Sequence, residues 1–186
     1  MFAEAAPGQL VRAVPGAGLD VPIWILGSST FGAQLAAALG LPFAFASHFA
    51  PDQLDAALAL YRAGFQASSA LERPHVMLGV SLVAADTDSE AARLATSLHQ
   101  QFLALQRGRP VQLQPPIDSM DALWSPLERV HVEHVLREAI VGSPDTVRQR
   151  LEAFVARTGA DELMISSHIY DHAARLRSYE IVASLR

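Results

Sequence analysis

Residues 21–32 read VPIWILGSSTFG, an apolar run of six residues that stops at a glycine and passes into small hydroxyl residues. Six residues are too few for a helix and are typical of a strand buried on both faces. From Thr30 to Leu39 the apolar positions recur at helical spacing, and Gly40 marks the end of that segment. The stretch therefore predicts a strand over 21–26 followed directly by a helix, which is one βα unit.

The same order recurs three more times along the chain. Further short apolar strands are predicted over 43–47, 76–84 and 162–166. The cap-like sequences at Thr87–Glu90 and Ser143–Asp145 indicate helix starts. Residues 107–126 contain four prolines and are expected to form a long inserted loop. The remaining segments are predicted to be helical, with approximate ranges 30–39, 51–65, 88–106, 127–139, 144–158 and 171–185.

Alternation of strands and helices predicts an α/β fold with a parallel sheet and right-handed crossovers. Two architectures fit this pattern, an open doubly wound sheet and a part of a (β/α)8 barrel, and composition does not separate them. A complete barrel needs about 250 residues and eight units, so about four units would form half a barrel. The expected domain covers 21–186, and the segment 1–20, rich in Ala, Pro and Gly, is expected to be an extended lead-in.

Composition narrows the classes of partner. The chain has no cysteine, which excludes disulfides and thiolate metal sites. Its net charge of −5 is spread without a basic stripe, so no nucleic acid is expected as a partner. Residues 1–4 do not resemble a signal peptide, and Gly and Pro break the uncharged stretch 21–50 into short elements, so we expect a cytoplasmic protein without a membrane span.

The turn from the first predicted strand into the first helix is the main candidate site. Helix N-terminal amides, the positive end of the helix dipole and the hydroxyls of Ser28 and Ser29 together suit a phosphate group. An ordinary helix cap on a βα loop has the same residue types, and the segment has neither the Rossmann glycine pattern nor a Walker lysine. From the residues alone, both interpretations stay open.

Several motifs, taken in order, resemble the bacterial-luciferase-like flavin monooxygenase family, specifically the C-terminal half of its barrel. The resemblance runs from about residue 20 to the end of the chain. The matching segments are PIWILGSS at 22–29, GAQLAA at 32–37, GLPFAFASHF at 40–49, VGSPDTV at 141–147, DELM at 161–164 and YDH at 170–172.

The resemblance implies a (β/α)8 TIM-barrel fold and an FMN-linked oxidoreductase activity. Reduced FMN, supplied by a flavin reductase, would activate dioxygen to oxygenate a small organic substrate. The phosphate would bind after the first strand of this chain, and residues at the ends of later strands would face the flavin. The implied catalytic residues are His48 and His168, and the implied cofactor-binding residues are Gly27, Ser28, Ser29, Thr30, Phe31, Gly32, Ser47, Ser166 and Ser167.

No metal site is expected. His131 and His134, and likewise His168 and His172, have helical spacing but lack the companion glutamate of a zinc motif.

The first four βα units of the family have no counterpart in the chain. A homo-oligomer or a separate N-terminal half is therefore expected to cover the open sheet. An alternative function is a truncated, non-catalytic half barrel that binds flavin phosphate at most and dimerises. The residues expected to be only partly covered on the inward face are Ile23, Ile25, Phe43, Phe45, Leu78, Val80 and Met164.

Overall fold

A computed structural model describes residue 4 and residues 6–185 of the chain. The strands are β1 (Ile25–Gly27), β2 (Phe43–Phe45), β3 (Val76–Ala84), β4 (Ile140–Gly142) and β5 (Glu162–Ser166). The helices are α1 (Thr30–Leu39), α2 (Leu54–Gly64), α3 (Asp88–Gln106), α4 (Pro126–Val135), α5 (Pro144–Thr158) and α6 (His172–Ser184), with a 3₁₀ turn at Pro51–Gln53 before α2.

All strand pairs in the sheet are parallel, and β3 is its centre. β1 pairs with β2, and β2 pairs with the start of β3. β5 pairs with Met77–Ser81 of β3, and β4 pairs with Leu82–Ala84 at its end. Each of the five strands is followed by a helix; β1, β2, β3 and β5 are the four predicted strands, and the predicted α/β fold of half a (β/α)8 barrel is confirmed.

The short strand β4 is a fifth strand that the sequence pattern did not predict. Residues 140–142 were expected to connect the helices predicted over 127–139 and 144–158. They form a strand because β3 is nine residues long and extends past β2, which leaves Leu82–Ala84 free to pair. Three residues carry no readable periodicity, so only the pairing with β3 defines this strand.

Three boundaries differ from the predicted ones. β1 begins at Ile25 rather than at Val21, because β2 has only three residues and offers no partner to residues 21–24. β2 ends at Phe45 rather than at residue 47, because Phe45 is the register partner of Gly27, the last residue of β1. Helix α4 ends at Val135, four residues before its predicted end, and a turn leads from there into β4.

The main core lies between one face of the sheet and the helices. Apolar residues from β2 and β3 pack there against side chains from α1, α2, α5 and α6. Tyr61 of α2 is fully buried against Phe43, with 5.3 Å between ring centroids, and its hydroxyl donates to the Leu41 carbonyl. The helices therefore cover this face as they do in the wall of a barrel.

The opposite face of the sheet is uncovered at β1 and β5, whereas Ser81 and Val83 of β3, which also point to it, are buried. Leu26 is 73% exposed and Met164 is 58% exposed, while Phe43, Phe45 and Leu78 are at most 1% exposed. The expected set of inward residues was therefore wrong by one position for Ile25 of β1 and for the residues of β2 and β3, because alternate residues of a strand point to opposite faces; Met164 of β5 lies on the open face as expected. In a closed barrel the uncovered face would line the interior.

The inserted segment between α3 and α4 contains neither helix nor strand, as predicted. Side chains of α3 hold it in place: Thr96 Oγ1 accepts from the Ile117 amide at 2.8 Å, and Gln100 donates to the Pro115 carbonyl at 2.9 Å. Ile117 and Met120 pack in a second cluster with residues of α3 and α4. The long loop is thus an ordered part of the fold.

The predicted lead-in segment is only partly described by the structure. Residues 6–24 contain turns, and within that range no helix or strand is present. Residues 1–3 and residue 5, to which the same prediction applied, lie outside the described residues.

The left-handed glycines allow a matched stability test. Gly40 ends α1 with φ of 61°, and a Cβ there would overlap the Gln66 carbonyl oxygen and lie 2.6 Å from Ser68 Cβ. Gly108 has φ of 66° with open space around it. Gly108→Ala should lower the free energy of unfolding by about 1–2 kcal/mol, and Gly40→Ala by about 1–3 kcal/mol more, because of the overlap. Urea unfolding measures both, and equal losses would contradict this packing.

Candidate active site

The end of β1 and the start of α1 approach each other very closely. A Cβ at Gly27 would lie 3.4 Å from Gly32 Cα and 3.5 Å from the Phe43 ring. Two glycines therefore let the strand end and the first helical turn pack together. This places the exposed residues Ser28 and Ser29 at the mouth of the turn, beside the first amides of α1.

The N-terminus of α1 has no internal cap. Ser29 is the N-cap residue, yet its side chain makes no capping hydrogen bond, and the first turn contains no acidic residue. The first amides of any helix lack partners within the helix and carry partial positive charge. Ser28, Ser29 and these amides are therefore free to bind an anion.

Helix α5 provides a contrast at a very similar sequence. Its N-cap, Ser143, also makes no capping bond through its side chain, but Asp88 Oδ1 accepts from the Ser143 amide at 2.7 Å. That hydrogen bond is the main reason why the pKa of Asp88 is lowered. The carboxylate of Asp88 occupies the position that an anion would take, so α5 is closed where α1 is open.

The loop after β2 connects the turn at Gly27 to the middle of β3. The Ala46 amide donates to the Gly27 carbonyl, and the His48 amide donates to the Gly79 carbonyl, both at 3.0 Å. A Cβ at Gly79 would overlap His48 Nδ1 and lie 2.7 Å from its Cε1. The missing side chain at Gly79 therefore makes the space in which the His48 ring lies, on the open face of the sheet.

Four buried polar atoms without hydrogen-bond partners come from the ends of neighbouring strands. They are Nδ1 of His48 and His168, and Oγ of Ser81 and Ser166. Ser81 and Ser166 are register partners in β3 and β5, so their hydroxyls lie on the same face of adjacent strands. Buried polar groups almost always have a partner, and a group of four without one indicates a binding site for a polar ligand.

His48 lies close enough to His168 to affect the pKa of His168. The pKa of His168 is lowered from its usual value, first by burial and then by the charge of His48. His168 is therefore neutral at pH 7, with one ring nitrogen as a donor and the other as an acceptor. Nδ1 of each histidine is left to bind a ligand.

Two of the serines in the predicted cofactor set have other partners in the structure. Ser47 is completely buried and its Oγ donates to the Gly79 carbonyl. Ser167 Oγ donates to the Leu82 carbonyl at 2.7 Å. Each hydroxyl ties a loop to β3 by donating to a backbone carbonyl of that strand. Both serines hold the strand ends in place, and their contact with a cofactor stays a prediction.

The remaining predicted residues fall into two neighbouring groups. Gly27, Ser28, Ser29, Thr30, Phe31 and Gly32 form the turn into α1, and His48, Ser166 and His168 surround the open face. Gly79 and Ser81 belong to the site but were not predicted. Their signal was their small size at alternate positions of an otherwise apolar strand.

The structure contains no evident metal or membrane element in its described part. Across residues 4 and 6–185, no three His, Asp or Glu side chains are grouped so that they could hold a metal ion. None of the helices in that part is long and apolar enough to cross a membrane.

The fold is half of a TIM barrel, and the turn at the end of its first strand presents uncapped helix amides beside Ser28 and Ser29. The sequence profile described as Luciferase-like monooxygenase matches residues 3–162. The chain belongs to this family.

Known proteins of the family are about twice as long as this chain. A luciferase-like monooxygenase of Escherichia coli (strain K12) is 48% identical over all of this chain and 55% of its own length. The crystal structure of apo-MsnO8 has a TM-score of 0.75 at 30% identity, and the match covers 96% of this chain and 54% of that chain.

A third comparison includes a bound cofactor. The oxygenating constituent of 3,6-diketocamphane monooxygenase from Pseudomonas putida was solved in complex with FMN. It has a TM-score of 0.56 at 21% identity, covering 86% of this chain and 45% of that one, and it shows likeness of fold.

The contact between the two histidines can be tested by titration. His48→Gln keeps most of the ring's volume but removes its charge, so the pKa of His168 should rise part of the way toward its usual value. Burial, the larger cause, remains in place. Ring-proton NMR over pH 4–8 measures the midpoint, and His131→Gln on the exposed face of α4 is the control. A midpoint that moves equally in both variants would contradict the proximity of His48.

Proposed function

We propose that this chain is the FMN-binding half of a flavin-dependent monooxygenase. The observation that carries the proposal is the group of four partnerless buried polar atoms beside an uncapped helix N-terminus. FMN has an anionic phosphate and a ring rich in hydrogen-bonding atoms, and the two parts of the site match these in kind. The FMN complex of the diketocamphane monooxygenase supports the choice of cofactor.

Different residues would bind different parts of the cofactor. Ser28 and Ser29, with the amides of Thr30–Gly32, would bind the phosphate. The path from β1 to β3 crosses two strand spacings, about 10 Å, which suits the length of the ribityl chain. His48, Ser81 and Ser166 would then hydrogen-bond to the ring system on the open face.

His48 and His168 are the proposed catalytic residues. When bound, reduced FMN would supply the electrons that activate dioxygen for oxygenation of an organic substrate. His168, neutral at pH 7, could accept or donate a proton at Nδ1, and His48 lies beside it. Both side chains are half-buried, and Nδ1 of each ring is buried, so bulk water does not reach that nitrogen. A flavin reductase would deliver the reduced cofactor.

Cellular context is part of the same proposal. The absence of cysteine is typical of a protein that folds in a reducing compartment, and a cytoplasmic location would bring it close to reduced flavin.

A second polypeptide surface would complete the site. The chain spans about half the length of the curated relatives it matches. Its open sheet face exposes Leu26 and Met164, and the outer edges of β1 and β5 have no strand partner among the described residues. Such a surface is normally covered by pairing. We propose that a second copy or a separate N-terminal half covers it.

The second candidate function is a non-catalytic half barrel that binds flavin phosphate and dimerises. The exposure of Leu26 and Met164 on the sheet face that carries the histidines favours it, because a reaction needs a site that is shielded from water on every side. Oxygen consumption with a flavin reductase present separates the candidates. Turnover above that of the reductase alone supports the monooxygenase, and FMN binding without turnover supports the half barrel.

The phosphate site leads to a binding prediction. The double variant Ser28→Ala and Ser29→Ala should bind FMN more weakly, since hydrogen bonds to a charged group contribute about 1.5–3 kcal/mol each, roughly 10- to 150-fold in Kd. Quenching of FMN fluorescence measures the Kd. Ser143→Ala is the matched control, because Asp88 already closes its helix. An unchanged FMN affinity in the double variant would show that the phosphate does not bind at Ser28 and Ser29.

The open face leads to an association prediction. The chain should scatter light as a species heavier than its 20.0 kDa monomer at micromolar concentration, because burying apolar area favours association by about 25 cal/mol per Å². Leu26→Glu or Met164→Glu should shift it to the monomer. Leu127→Glu, 78% exposed on α4, is the control and should leave the mass unchanged. A monodisperse monomer of the unsubstituted chain would show that the face needs no cover.

A further inference from the structure

Two more buried polar atoms without partners lie on helix α3. They are Ser97 Oγ and Gln101 Oε1, and Ser97 is completely buried. Residues four apart share one face of a helix, so the two side chains point in the same direction, one turn apart. Leu94 and Leu105 continue this face in the two directions along the helix.

Contacts at its two ends show where α3 lies. Val83 alternates with Gly79 and Ser81 along β3, so it points to the open face of the sheet. Val83 packs in one cluster with Leu94 of α3 and with Ile169, which follows β5. The start of α3 therefore lies over the ends of β3 and β5, on the same side as the partnerless polar atoms.

The other end of α3 reaches the loop after β2. Phe102 and Leu105 line a hollow of about 200 Å³ together with Phe49, the residue next to His48. Helix α3 thus runs from the ends of β3 and β5 to the loop after β2. Leu94 and Leu105 are about 16 Å apart along the helix, which exceeds the roughly 10 Å across three strands.

Ser97 and Gln101 lie between these two contacts. Their turn of α3 is bracketed by Leu94 over the end of β3 and by Leu105 beside Phe49. The face that carries them is therefore directed at the strand ends that hold Ser81 and His48. The partnerless atoms of α3 and those of the sheet belong to one site, with the helix as its far wall.

A purely structural role does not account for the pair. Thr96, the neighbouring residue, donates to the Arg93 carbonyl and accepts from the Ile117 amide, so this part of the fold satisfies a buried hydroxyl. An apolar residue at 97 or 101 would fill the same space without the cost of an unpaired polar group.

We propose that Ser97 and Gln101 recognise the imide edge of the flavin ring. That edge presents an acceptor, a donor and an acceptor in a row. Gln101 Oε1 can accept from the ring N3–H while its amide nitrogen donates to one neighbouring carbonyl, and the Ser97 hydroxyl can donate to the other. This inference rests on the proposed binding of FMN. It places Ser97 and Gln101 of α3 beside the pyrimidine end of the flavin ring.

The test changes ligand and protein together. FMN is compared with 3-methyl-FMN, in which a methyl group replaces the N3 hydrogen. The unsubstituted chain should bind FMN roughly two- to tenfold more tightly than the methylated flavin, as expected for one lost hydrogen bond. Gln101→Leu should bring that ratio to about one. Fluorescence quenching gives both Kd values.

Two further variants make the result specific. Gln100→Leu is the control, since the Gln100 amide already donates to the Pro115 carbonyl, and it should keep the full ratio. Ser97→Ala adds no volume and should weaken FMN binding without unfolding the chain. Circular dichroism of each variant checks that the helix is intact.

The outcomes separate the two levels of the proposal. If the unsubstituted chain binds FMN but does not distinguish the methylated flavin, or if Gln101→Leu keeps the ratio, the α3 assignment is wrong and the FMN proposal stands. If the unsubstituted chain binds neither flavin, the proposed function itself is contradicted.

Discussion

The alternation of side chains along β3 determines the rest of this structure. Val76, Leu78, Val80 and Leu82 point to one face and are at most 1% exposed under the helices. Gly79, Ser81 and Val83 point to the other face. Because β3 also pairs with β2, β4 and β5, its residues set the register of the sheet and the position of the strand ends that form the site.

The small residues of β3 connect packing to function. Gly79 leaves room for the His48 ring, and Ser81 places a hydroxyl opposite Ser166. Larger apolar residues at these positions would fill the space and extend the apolar surface. The site therefore depends on small side chains in β3. Its polar atoms are oriented toward a ligand rather than toward each other.

The charge distribution of the site favours a ligand that carries its own charge at one end only. The α1 N-terminus offers partial positive charge to an anion, while the strand ends present neutral hydroxyls and a histidine whose pKa is lowered. Asp88 closes the corresponding end of α5. Only one of these two N-termini is thus available, which orients an anionic ligand across the sheet from β1 toward β5.

Much of the architecture could be predicted because the strands and helices have clear lengths and stops. The turn at 27–32 was located from its glycines and hydroxyls. β4 was missed, since three residues show no period and depend on the free end of β3. The predicted sheet face of Phe43 and Phe45 was wrong. All residues of β2 are apolar, and an apolar run does not show which face the helices cover.

The site was harder to predict than the fold, since it depends on contacts distant in sequence. Nothing local distinguishes Ser81, whose hydroxyl has no partner, from Ser47, whose hydroxyl donates to the Gly79 carbonyl. Ser97 and Gln101 look like ordinary positions on a long helix until the two ends of α3 are placed beside Val83 and Phe49. Such roles follow from where strands end and helices cross.

The most direct measurement is a map of backbone amide shifts as FMN is added to the 15N-labelled chain. The account predicts that the largest changes fall at residues 28–32 and at the strand ends around His48, Ser81 and His168. At the opposite end of the sheet, His75 Nε2 lies 2.7 Å from Glu162 Oε1. The amide shifts there should stay unchanged. Changes centred on that opposite end, or none at saturating FMN, would contradict the account.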